Sequence, residues 1–223
     1  MIRALFFKEW LKIKWAFISM AGLILLILIK IGLNLSYYIR ILEAKTYWYQ
    51  VIIMGGIFFR EFTYIPVLVG LVIGFSQFMP EINADRLKLT LHLPLKENAI
   101  LLYMVLYGTA ALLALFLGTY ILLSLIVISF FPFEVVKAMW VTMAPWMLAG
   151  FVTYWVTSMT FVERIWLKRG LIIVLGVLFI QTLLNNYAFE IYKNSLIYFF
   201  ILSLLWSIGI LYTGYRFKKG VMK

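Results

Sequence analysis

Six apolar runs, each long enough to cross a lipid bilayer, constrain this chain more than any other feature: about 16 to 36, 62 to 79, 99 to 131, 138 to 161, 170 to 188 and 195 to 215. A hydrocarbon layer of about 30 Å takes roughly 20 helical residues to cross. Inside it every backbone N–H and C=O must find a partner within the protein, which a helix provides along its own length. The 223 residues are 65% hydrophobic and 13% charged, more apolar surface than one soluble core buries. The expectation is an all-α, polytopic membrane protein, a single transmembrane domain over 1–223 with six membrane-spanning helices.

The third run is too long for one simple crossing and too short for two, since its length as a helix is on the order of 50 Å. Charge parity decides between the options. With one crossing, the N-terminus, the 80–98 connector, the 162–169 connector and the C-terminus share a side. That side holds Arg3, Lys8, Lys12, Lys14, Arg86, Lys88, Lys96, Arg164, Lys168, Arg169, Arg216, Lys218, Lys219 and Lys223, fourteen of the twenty basic residues. Lys30, Arg40, Lys45, Arg60, Lys137 and Lys193 fall opposite. The positive-inside rule then puts both termini in the cytoplasm. The run is read as one long helix continuing below the bilayer, with Gly118 as its place to bend. The net charge of +11 thus marks the sides of a membrane, and no nucleic-acid partner is expected.

Residues 46–61, "TYWYQVIIMGGIFFRE", have an apolar core too short to span and are rich in Tyr and Trp, which favour the headgroup level. They are expected to form a re-entrant or interfacial piece on the outer side. The outer loops "FPFEVVK" and "NNYAFEIYKNS" are short, so function is expected in the membrane or on its cytoplasmic face. The N-terminal "MIRALFFKEWLKIKW" lacks the small-residue cleavage site of a secretory signal and is expected to be retained.

Catalytic and metal signatures are missing from the sequence. There is no GxxxxGK[ST] phosphate loop and no HExxH, and one histidine with no cysteine cannot build the common zinc sites. A nucleophile needs a base within hydrogen-bond reach, and the sequence suggests neither a Ser–His arrangement nor a buried acidic pair. Lys30, Arg60, Glu61 and Glu163 sit near predicted helix ends, where snorkelling accounts for them. An ion-coupled transporter would carry intramembrane carboxylates, so any driving energy is expected from elsewhere. The chain itself is expected not to be an enzyme and to hold no metal.

Asn34, Gln77, Gln181, Asn185 and Asn186 lie within or at the ends of spans. Interhelical hydrogen bonding is the first expectation for them, ahead of substrate contact. Gly70 and Gly74, and the series Ala110, Ala114 and Gly118, place small residues at four-residue spacing, which permits close helix approach.

Two segments are amphipathic. Near the N-terminus, Ile2, Phe6, Trp10 and Ile13 form one stripe with Lys8, Glu9 and Lys12 opposite, a pattern suited either to a helix at the cytoplasmic interface over residues 1–15 or to a basic flank that only sets topology. In the connector, nothing breaks a helix from Glu81 to Leu93, and Pro94 ends it. Glu81, Asp85, Lys88 and His92 share one face, while Ile82, Leu89 and Leu93 share another. Acids and bases balance over Met79 to Asn98, which suits a protein surface better than anionic lipid.

This connector resembles the coupling helix of type-2 exporter permeases of the ATP-binding-cassette (ABC) transporters, often "ExxxGTLxxLLxLP". Glu81 takes the leading acid, Leu87, Leu89, Leu91 and Leu93 the apolar repeat, and Pro94 the closing proline. Asp85-Arg86 replaces Gly-Thr, and only Lys96 represents the base expected after the proline. The motif covers about fourteen residues, the topology the whole chain. The resemblance implies six spans, an elbow helix at 1–15, a coupling helix at 81–94, and a permease paired with a second copy or homologue in a bacterial inner membrane. It further implies an ABC ATPase subunit that binds ATP and Mg and docks on Glu81, Asp85, Arg86, Lys88, His92, Leu93 and Pro94, driving export. Set against it are a non-transporting membrane scaffold and an intramembrane enzyme.

Overall fold

A computed structural model describes residues 2–82, 97–185 and 188–218. The described chain is all-helical: α1 (Ile2–Ile41), α2 (Ala44–Ile52), a 3-10 turn (Arg60–Phe62), α3 (Ile65–Ile82), α4 (Glu97–Ile128), α5 (Phe133–Val162), α6 (Trp166–Leu184) and α7 (Leu196–Lys218). Among the described residues, five helical stretches are long and apolar enough to cross a membrane: Arg3–Ile41, Arg60–Glu81, Ile100–Ile128, Phe133–Val162 and Trp166–Leu184. The apolar part of α7 among the described residues, Leu196–Ile210, is shorter. The protein is therefore a membrane-embedded helical bundle with five helices of spanning length, where the sequence predicted six, among the described residues.

The long third run is a single uninterrupted helix, α4. Residues 46–61 form no spanning helix. They make most of the nine-residue α2, which follows Glu43 at positive φ, and a turn after it in which Gly55 takes positive φ. Aromatic packing holds this piece against one end of the bundle. Phe58 stacks on Phe131 at 5.5 Å, and Phe59, fully buried, meets Trp146 at 5.5 Å and Phe189 at 5.7 Å.

α5 is the central helix. Eighteen of its thirty residues are buried, and it packs on α3, α4, α6 and α7, as expected of a helix apolar on every side. α6, by contrast, buries only Gly176, Ile180 and Leu183 and shows the rest of its surface outward. The α3–α5 crossing depends on glycine. A Cβ on Gly70 would strike the Gly150 carbonyl oxygen, and one on Gly150 would strike the Pro66 carbonyl oxygen and the Phe116 ring. Gly74 lies against Thr157. This small-residue face is thus spent on packing within the chain. The other one points away from the bundle: Ala110 and Ala114 are exposed and Gly118 has open space where a Cβ would lie.

Residues 2–15, expected as an elbow helix, are not a separate helix. From Ile2 onward they are the first turns of α1, which runs unbroken for 40 residues, about 60 Å of helix. No proline interrupts it, and its two glycines, Gly22 and Gly32, lie well inside the apolar run. The expected division of faces also changes. Ile13 is fully buried and Phe6 packs on Tyr103 and Tyr107, but Glu9 is buried as well and Lys12 nearly so. Phe7, Trp10, Leu11 and Trp15 are exposed. In lipid the inside of a bundle is the better place for charge, so the aromatic residues take the outer face, where Trp suits the membrane interface.

Candidate functional site

α1 and α3 run antiparallel, and their inward polar residues meet at the end formed by the start of α1 and the end of α3. Glu9 and Lys12 are spaced i, i+3 on α1, and Gln77 and Glu81 are spaced i, i+4 on α3, so each pair projects from one helical face. Lys12 Nζ lies 2.5 Å from Glu9 Oε1 and 2.9 Å from Glu81 Oε1. Lys8 Nζ approaches the same Glu81 oxygen at 2.8 Å. Glu9 and Glu81 are each only 1% exposed, which makes them the buried acidic pair that the sequence did not suggest. Burying two carboxylates costs several kcal/mol each, roughly, unless cations and donors face them. Here two ammonium groups and a side-chain amide do so.

Gln77 is the hub. Its Nε2 donates to Glu9 Oε2 at 2.8 Å and to the Met104 carbonyl at 2.8 Å, and its Oε1 accepts from the Tyr154 hydroxyl at 2.8 Å. Every hydrogen of the amide and its oxygen are engaged, so the amide can point only one way. Ser76 Oγ adds a bond to the Lys12 carbonyl at 2.9 Å. The cluster therefore ties α1, α3, α4 and α5 together through side chains with no exposure at Gln77 or Tyr154. It fits because position 108 is glycine: a Cβ there would fall on the Tyr154 hydroxyl and Gln77 Oε1.

Chemically this arrangement is a clamp. Both carboxylates face ammonium groups, and the nearby hydroxyls of Ser76 and Ser158 donate to backbone carbonyls, those of Lys12 and Tyr154. Neither hydroxyl is poised on a base. Among the described residues no group of three or more His, Cys, Asp or Glu side chains could hold a metal.

A thinner contact joins α1 to the turn before α3 at the opposite end, where Lys30 Nζ lies 3.0 Å from Glu61 Oε2 and Asn34 Nδ2 donates to Glu61 Oε1 at 3.3 Å. Gln77 thus makes the interhelical bond expected of it and Asn34 bonds the turn before α3, whereas the side-chain amides of Gln181 and Asn185 make no interhelical bond among the described residues. The stretch of α1 between Lys12 and Lys30 measures about 27 Å, close to the hydrocarbon thickness of about 30 Å.

Of the docking residues suggested by the sequence, Glu81 is buried and turned toward α1. Asp85, Arg86, Lys88, His92, Leu93 and Pro94 lie outside the described residues. Of the stripe residues, Phe6 and Ile13 face the bundle and Trp10 faces out; Ile2 begins α1. Sequence reasoning missed Glu9, Lys12, Gly108 and Tyr154 as one site. The usable signal was the pairing of Glu9/Lys12 with Gln77/Glu81, polar spacings on two helices predicted to be consecutive crossings. No family model, curated protein or solved structure matches this chain.

Proposed function

We propose that this chain is the membrane permease subunit of an ABC exporter, powered by a separate ATPase that docks on the 81–94 connector. In this reading α7 is the sixth crossing, both termini are cytoplasmic, the first turns of α1 serve as the elbow, and a second permease copy or homologue completes the pore. ATP and Mg belong to the ATPase. The positive-inside distribution of fourteen basic residues on one side supports the topology.

The observation that carries the reading is the clamp at Glu81. A force applied to the connector enters the membrane through the last turn of α3 and the first turn of α4. At the α3 root, Glu81 is held by Lys8 and Lys12, and one turn earlier Gln77 is bonded to α1, α4 and α5. Displacement of the connector would move these four helices together, since a packed and hydrogen-bonded network transmits motion where a loose loop does not. Glu81 then anchors the coupling segment, and docking falls to Asp85, Arg86, Lys88, His92, Leu93 and Pro94.

The test is composition and release. The complex isolated in mild detergent should contain an ABC ATPase in equal copy number by mass spectrometry, and Asp85→Ala with Arg86→Ala should release it while the permease keeps its helical circular dichroism. A complex with no ATPase, or one that keeps it after both substitutions, overturns the proposal.

A further inference from the structure

At the end of the bundle opposite the clamp, the turn before α3 and the last turns of α6 enclose a groove of about 640 Å³ lined by Arg60, Tyr64, Leu178, Gln181 and Asn185, among others. Its volume lies in the range of roughly 300–1,000 Å³ typical of small-molecule sites. The charge balance there is uneven. Glu61 is engaged by Lys30 and Asn34, whereas the guanidinium of the neighbouring Arg60 has no ion pair or hydrogen bond among the described residues. The side-chain amides of Gln181 and Asn185 also bond nothing among the described residues; only their backbones do, the Asn185 N–H donating to the Gln181 carbonyl and the Asn185 carbonyl accepting from Tyr192. The Tyr64 ring is exposed. Arginine, two amides and a phenol line one groove, and among the described residues no carboxylate lines it to balance the arginine.

A positive charge with no carboxylate in its groove favours an anionic partner. A planar guanidinium is matched best by phosphate or carboxylate, which it binds through paired hydrogen bonds. The continuation of the groove adds a second requirement. Leu171, Val174, Leu175 and Leu178 are all more than half exposed and follow one another at helical spacing on the face of α6 that ends at Gln181. An apolar track therefore leads directly from the donor cluster along the membrane-facing side.

We propose that this groove binds the anionic head of a membrane amphiphile, a phosphate or carboxylate held by Arg60, Gln181 and Asn185, with its hydrocarbon tail along Leu178, Val174 and Leu171. The site stands independently of the permease reading, because it uses neither the connector nor the clamp.

The experiment uses the full chain, stripped of lipid in mild detergent and then exposed to phosphatidylglycerol or phosphatidylcholine, with bound lipid counted by native mass spectrometry. The expected result is preferential retention of phosphatidylglycerol. Arg60→Gln should weaken it roughly tenfold, the scale of a lost charge-assisted hydrogen bond, and Gln181→Leu should weaken it less. Arg40→Gln, an exposed cation on the last turn of α1 outside the groove, should change nothing. Glycerol 3-phosphate is the competing arm. Displacement of the lipid by it assigns the site to the anionic head alone, and failure to displace assigns it to the whole lipid. Equal retention of the two lipids, or equal losses in Arg60→Gln and Arg40→Gln, overturns the proposal.

Discussion

α1 makes an ion pair with α3 at one end and with the turn before α3 at the other, and the two ends differ in what surrounds them. At the clamp, the side chains of Lys12 and Glu81 are 11% and 1% exposed; at the other end, those of Lys30 and Glu61 are 62% and 38% exposed. The chemical groups are the same, ammonium and carboxylate, at nearly equal distances of 2.9 and 3.0 Å. Their energetic roles are not. The exposed pair exchanges one set of hydrogen bonds for another and is worth about 0–1 kcal/mol. The buried carboxylate has lost its water, so its partners cannot be removed without leaving a charge stranded. An ion pair therefore reports on stability only through its burial, and of the two ends the clamp is the one that fixes helix register.

The sharpest way to break this comparison is at Lys12. Lys12→Ala leaves the Glu9 carboxylate buried without its cation and takes one of the cations from Glu81, and should cost about 3–5 kcal/mol, measured as a shift in SDS-induced unfolding followed by circular dichroism. An effect no larger than that of Lys30→Ala would erase the distinction between the ends. Next in size is the space the clamp needs. Gly108→Ala puts a methyl group onto the Tyr154 hydroxyl and Gln77 Oε1 and should cost about 1–3 kcal/mol as overpacking. On the same helix Gly118→Ala enters open space and should be neutral or stabilising by up to about 1 kcal/mol. The smallest effect belongs to the outer pair. A double-mutant cycle of Lys30→Ala and Glu61→Ala should give a coupling below about 1 kcal/mol, and that coupling should shrink as salt is raised. A salt-insensitive coupling would mean that this end is more buried than its exposure indicates.

Much of the fold was legible because bilayer thickness converts directly into run length. The apolar stretches predicted near 62–79, 99–131, 138–161 and 170–188 correspond to α3, α4, α5 and α6, and charge parity made α4 one helix where length alone was ambiguous. The candidate site was less legible. At residues 2 to 13 the 3.6-residue period separated an apolar stripe from a polar one, but period alone does not say which stripe faces in. Reading it as for a surface helix put Glu9 and Lys12 outside. The structure turns them inward, because α3 brings Gln77 and Glu81 to the same level and α5 brings Tyr154. Gly108 carried no signal at all, since its role appears only when Tyr154 and Gln77 lie against it.

What the sequence determined by itself is the solvent and the unit of structure: this many uninterrupted apolar residues can only be satisfied as helices in lipid, because no water is there to take the backbone's hydrogen bonds. What only the tertiary structure decided is the partnering of its few polar side chains. Glu9 and Glu81 lie 72 positions apart in the chain and share Lys12 because antiparallel packing sets them at one depth. A buried charge is stable only where such a partner stands, and no local pattern in the sequence supplies that position.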